Sequence, residues 1–188
     1  MRILMVLLLM VTGALAQDQA EAALIAAGCG SSSVQFDVKT DKTQHPVAQP
    51  EPGKAIVYVF RDEDIDNLGS IGPVETTRVG IDGTWAGSNG KKSYLFFAAD
   101  PGSHRLCTER QSGTKSRLQE SAATSFIAEA GSVYYFRTQT SRHPTRTATV
   151  ELVPIDPAEV QLLLPRFAHS TFEIKKEGKE GKVKHNWF

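Results

Sequence analysis

Short runs of β-branched and aromatic residues, each cut off by a turn signal before reaching helical length, recur along most of this 188-residue chain. The densest is AIVYVFR at 55–61, and residues 76–81 form the next. Asp82-Gly83 follows, the dipeptide preferred in two-residue hairpin turns because both positions need positive φ. Trp85 then falls on a short return strand closed by a Ser88-Asn89-Gly90 turn. Runs at 93–98 and 103–109 flank Asp100-Pro101-Gly102, and runs at 124–129 and 132–138 flank Ala130-Gly131. Residues 147–153 alternate as a last strand, and Val34, Phe36 and Val38 alternate as a first. Regularly spaced short strands predict a mainly β chain, an antiparallel β-sandwich of Ig-like or prealbumin-like type. No alternation of strands with helical segments argues for a parallel sheet. One short C-terminal helix is expected, capped by Asp156, opened by Pro157 and stopped before Pro165.

The flanks differ from this core. Arg2, an apolar run at 3–11 and the small-x-small Ala14-Leu15-Ala16 read as a signal peptide, with cleavage between Ala16 and Gln17. The apolar run is too short for a permanent span, which needs about 20 residues. The expected organisation is a signal peptide at 1–16 and an N-terminal extension with a Pro-rich linker at 17–53. The sandwich domain at 54–168 and a flexible charged tail at 169–188 complete it. Within the linker, Pro46, Pro50 and Pro52 stand in a polar setting. The mature chain is expected in the periplasm or outside the cell. A second reading puts a lipobox at Ala26-Ala27-Gly28-Cys29, which makes the protein a lipoprotein anchored through Cys29.

Cys29 and Cys107 are the two cysteines. In an oxidising compartment a lone pair is most economically one disulfide. Its loop of about 79 residues is worth roughly 4 kcal/mol in the chain-entropy model. Two buried thiols are the alternative.

Charge excludes one class of partner. Lys and Arg number 21 against 21 Asp and Glu, and removing residues 1–16 takes away only Arg2, leaving one net negative charge. There is no basic excess to attract a phosphate backbone, so nucleic acid is not an expected partner.

Candidate chemistry is sparse. The five histidines show no metal-ligand spacing, and His104, beside a Pro-Gly turn, is the one embedded in a strand. A single histidine with no placed partner makes no catalytic mechanism. Asp62, Asp64 and Asp66 give D-x-D-x-D, weak candidates for calcium oxygens. The helix-loop-helix calcium pattern fails, because Asn67 and Pro73 stand where it needs Gly and Glu. Residues 87–93 look like a phosphate loop, but Trp85 occupies the position of its first glycine and no Ser or Thr follows Lys91. No serine-hydrolase elbow occurs. No catalytic residue and no cofactor is expected. Trp85, Tyr134, Arg137 and His104 remain as a possible binding surface.

Four segments carry a family resemblance: KAIVYVFR, RVGIDGTWAG, KSYLFFAADPGSHRLC and FIAEAGSVYYFR, in that order between residues 54 and 137. In these the chain resembles a bacterial exported family, domain of unknown function 2846, and more loosely small β-sandwich modules of the PEGA type. The resemblance implies an envelope-associated β-sandwich, often on lipoproteins, and supplies no activity and no catalytic residues. The expected function is a non-enzymatic binding or structural module of the cell envelope, with an envelope protein or polysaccharide as partner. The alternative is a calcium- or ligand-binding accessory built on the 62–66 loop.

Overall fold

The computed structural model describes residues 29–31, 33–62, 76–111, 121–142 and 148–175. Among these described residues ten strands run in chain order: β1 Phe36–Asp41, β2 Ala55–Arg61, β3 Thr76–Ile81, β4 Thr84–Asn89, β5 Ser93–Ala99, β6 Gly102–Gln111, β7 Ser121–Ala128, β8 Val133–Arg142, β9 Ala148–Pro154 and β10 Ala168–Ile174. Helix α1 (Pro157–Leu163) lies between β9 and β10, and Asp156 caps it by accepting the Ala158 N–H. The strands form two sheets, ordered β1-β10-β5-β2-β8-β9 and β4-β3-β6-β7. The chain is thus mainly β with one short C-terminal helix, as the run of short strands predicts. The expected signal peptide at 1–16, the 17–27 segment and residues 26–28 of the alternative lipobox lie outside the described residues.

β2 explains the architecture. All seven of its residues are buried, so it reads as an unbroken apolar run rather than an alternation. Val57 and Val59 face the second sheet, packing with Val79, Leu95, Leu106, Phe136 and Leu152. Ile56, Tyr58 and Phe60 face the other way, against Tyr94, Ile155, Val160 and Phe167 beneath α1. A strand covered on both faces suits a central position, and β2 lies antiparallel to β5 and parallel to β8. β10 is also parallel to β5. The expected sandwich is therefore mixed where a purely antiparallel one was predicted. The doubly apolar β2 is the physical reason that a parallel neighbour fits there.

Three local expectations shift. β10 extends to Ile174 and pairs with β1 along its full length, so the fold continues six residues into the stretch expected as a tail from 169. Residues 176–188 lie outside the described residues. The turn after β4 falls at 91–92 instead of 88–90, with Lys92 at φ 45°. Ser88 and Asn89 are strand residues whose side chains are buried, Ser88 donating to Thr77 O and Asn89 crossing between sheets to donate to Val59 O at 2.8 Å. Strand β8 also runs four residues beyond the expected end at 138. The Asp82-Gly83 turn forms as read, with φ of 50° and 80°.

Candidate functional site

Two chain segments lie across the outer faces of the two sheets. The first is the described part of 29–36, residues 29–31 and 33–36, on the four-stranded sheet. Register places Cys107, Gly80 and Trp85 in one row across that face, and Glu109, Arg78 and Ser88 in the next. Cys29 is bonded to Cys107, with Cα atoms 5.2 Å apart, and both are buried. The indole N–H of Trp85 donates to Ser31 O at 2.7 Å, and Arg78 donates to Val34 O at 2.6 Å. Gln111 then pairs with both backbone groups of Phe36, at 2.7 and 2.8 Å, taking the part of a strand neighbour. Gly30 is required here: a Cβ at that position would stand 2.5 Å from the Trp85 ring.

A bulge aims Trp85. Val79 pairs with Gly87 but Gly80 pairs with Trp85, so Ala86 is the extra residue. The indole lies beneath the Arg78 guanidinium, 4.5 Å from the ring centroid. Arg78 is itself held at 2.6 Å by Glu109, its side chain 4% exposed. Between this hairpin and the β1–β10 pair opens a groove of about 380 Å³ walled by Val34, Phe36, Thr84, Trp85, Phe172 and Ile174. Phe36 and Phe172 meet edge to face at 5.5 Å. Phe172 is 38% exposed and Ile174 65%, so the wall is apolar and open to solvent.

The sequence-predicted surface residues do not converge. Trp85 alone of the four lines the groove. His104 and Tyr134 both pack on Phe126, at 5.5 and 5.2 Å, and the Tyr134 hydroxyl accepts the Glu129 N–H at 3.0 Å in the β7–β8 turn. Arg137 is on the opposite face of the six-stranded sheet, 2.6 Å from Glu159 at the start of α1 and 4.0 Å from Asp62. Asp64 and Asp66 lie outside the described residues. Among the described residues no three His, Cys, Asp or Glu side chains gather as a metal-ligand set. No described helix is long and apolar enough to cross a membrane.

His104 does have partners. Nδ1 is 2.6 Å from Asp82 Oδ2, and Nε2 is 2.6 Å from Asp100 O. Only the imidazolium donates at both nitrogens. Burial opposes that charge, but the Asp82 carboxylate and the Asp100 carbonyl outweigh it and raise the His104 pKa above its ordinary value. Burial likewise opposes ionisation of Asp82, and its bonds from Arg105 N–H and His104 overcome it, holding the carboxyl low. The pair ties the β3–β4 turn to the β5–β6 turn.

Residues 51–151, from the turn before β2 into β9, match the family described as a protein of unknown function, DUF2846. The chain belongs to this family. No curated protein matches it. The DUF2846 region supplies Trp85, Arg78 and Cys107, whereas Cys29, Val34, Phe36, Phe172 and Ile174 come from outside it. The groove is therefore built between the family's strands and the two flanks of this chain. Cys29 was expected in the bridge, but Val34, Phe36, Phe172 and Ile174 were missed as groove residues because their only signal is local alternation, Val34-Phe36 and Phe172-Ile174, which does not reveal that β1 and β10 pair.

Proposed function

We propose that this DUF2846 protein is a non-enzymatic binding module of an exported, oxidising compartment, and that it holds an apolar part of a cell-envelope protein in the Trp85 groove. The carrying observation is the disulfide-locked 29–36 segment, which forms one wall of that groove. The polar groups around the groove are engaged in holding its walls: Trp85 with Ser31 O, and Arg78 with Glu109 and Val34 O. The groove's exposed Phe172 and Ile174 walls are apolar, beside the polar Ser31 and Thr84 at the rim. Trp85 carries Arg78 over its ring and Gly30 against it, which favours a protein partner over a polysaccharide stacked on the indole. The sulfur of Cys29, shared with Cys107, is not free for a thioether to lipid, which favours a soluble exported form over a lipoprotein.

Intact mass of the protein recovered from a bacterial envelope fraction, before and after reduction, tests this. A chain beginning at Gln17 that gains the mass of two hydrogen atoms on reduction is expected. A chain beginning at Cys29 with a lipid adduct overturns it.

A further inference from the structure

The second covering segment lies on the outer face of the six-stranded sheet, remote from the groove. Residues 44–50 cross an aromatic platform in which Tyr58 is central, 5.2 Å from Phe96, 5.2 Å from Tyr135 and 6.1 Å from Tyr94. The segment belongs to no strand, and among the described residues no backbone bond joins it to the sheet. Side chains hold it instead. The Tyr94 hydroxyl donates to Pro46 O at 3.1 Å, and the Tyr58 hydroxyl accepts the Ala48 N–H at 2.7 Å while facing Ala48 O at 3.5 Å. His45 Nδ1 stands 3.0 Å from Phe167 O.

This is the chemistry that reads proline-containing chain. Proline lacks an N–H and cannot complete a sheet ladder, but its carbonyl still accepts and its fixed φ lowers the cost of ordering. Aromatic faces with hydroxyl donors suit such a ligand. Alternate residues Pro46, Ala48 and Pro50 are half-buried, whereas Val47 between them is 67% exposed, so the segment rests on the platform without being enclosed. No covalent link holds it down, unlike 29–36.

We infer that the Tyr58–Tyr94–Phe96–Tyr135 face is a recognition site for extended proline-containing polypeptide, occupied in cis by residues 46–50 and open to a proline-rich segment of a partner protein when that strap lifts. Burial raises the Tyr94 hydroxyl pKa to about 12 and that of Tyr58 above its ordinary value, so both keep the proton they donate. A cis strap on a short tether competes at roughly millimolar effective concentration, so partner binding to the closed form is weakened by the fraction of molecules that are open.

The test uses a labelled peptide with the sequence of residues 43–53 and the full chain. A Pro46→Gly/Ala48→Gly/Pro50→Gly variant, whose strap is loosened at unchanged length, is expected to bind the peptide about tenfold more tightly than the wild type. Adding Tyr94→Phe should reverse most of that gain, and a peptide with serine for each proline should bind several-fold more weakly. Equal affinity for wild type and variant, or binding indifferent to Tyr94→Phe and to proline, overturns the proposal. Dimerisation of the variant without peptide uptake also overturns it, by placing a second copy on the face. If the triple variant does not fold, hydrogen exchange at Ala48 in the wild type decides. Millimolar peptide is expected to accelerate that exchange by lifting the strap, and unchanged exchange contradicts the proposal.

Discussion

The two outer faces of the sandwich are each crossed by a strap of the chain's own backbone, and the straps are fastened differently. Residues 29–36 are bonded through Cys29–Cys107, and Arg78, Trp85 and Gln111 reach their backbone. Residues 44–50 are held by tyrosine hydroxyls and a histidine ring, with no covalent tie. Both straps satisfy backbone groups with side chains because neither segment joins the sheet beneath it. The locked strap is where the molecule is built to stay closed, and the hydrogen-bonded strap is where it can exchange. A disulfide acts mainly by restricting the unfolded chain, whereas a neutral hydrogen bond nets only about 1 kcal/mol and is readily traded for water.

The largest expected effect breaks the locked strap. Cys29→Ser/Cys107→Ser should lower the unfolding free energy by about 4 kcal/mol, measured by denaturant titration, because the bridge spans a separation of 78 residues. Trp85 emission should shift to the red as its Ser31 contact is released. Loss of the bridge without either change would mean that 29–36 is held by its hydrogen bonds alone. Gly30→Ala comes next. Its Cβ meets the indole at 2.5 Å, and overpacking of this kind costs about 1–3 kcal/mol in a melt of the oxidised protein.

The face beneath each strap was unequally legible from sequence. AIVYVFR announces β2 as a core strand, and Cys29 and Cys107 are the sole candidates for a bridge, so the locked side could be anticipated in outline. Trp85 stood out as an aromatic on a hairpin. Its bulge at Ala86 and its neighbours Phe172 and Val34 did not, since they depend on pairings between ends of the chain. Asn89 looked like a turn residue because Asn favours turns, and only its bond across to Val59 O shows why it is buried in a strand. β10 was hidden because Pro165 before it and the Lys-rich stretch after it outweighed the short alternation of Ser170, Phe172 and Ile174. The Pro-rich strap reads as a linker in the sequence: proline density shows that a segment stays out of a ladder, and says nothing of the tyrosines that receive it.

On the exchangeable side the effect is smaller. Tyr94→Phe should cost about 1 kcal/mol and speed exchange at 44–50, while leaving Trp85 emission unchanged. A matching change in Trp85 would show that the two straps move together.

The smallest effect belongs to a third latch, the His104–Asp82 pair between the turns. The folded pKa of His104 is raised, so its contribution is fully present below the unfolded value of about 6.5 and is lost as pH rises through the folded value. The melting temperature should therefore decline slightly from about pH 6.5 upward, and His104→Gln should flatten that slope. An unchanged slope in the variant would remove His104 from the account.

Hydrogen exchange followed by mass spectrometry, on the oxidised and then the reduced chain, tests the difference between the straps most directly. The account predicts that 29–36 is strongly protected when oxidised and exchanges fast when reduced, while the amides of 44–50 exchange at one intermediate rate in both. Equal protection of the two segments in the oxidised chain, or their joint release on reduction, would contradict it.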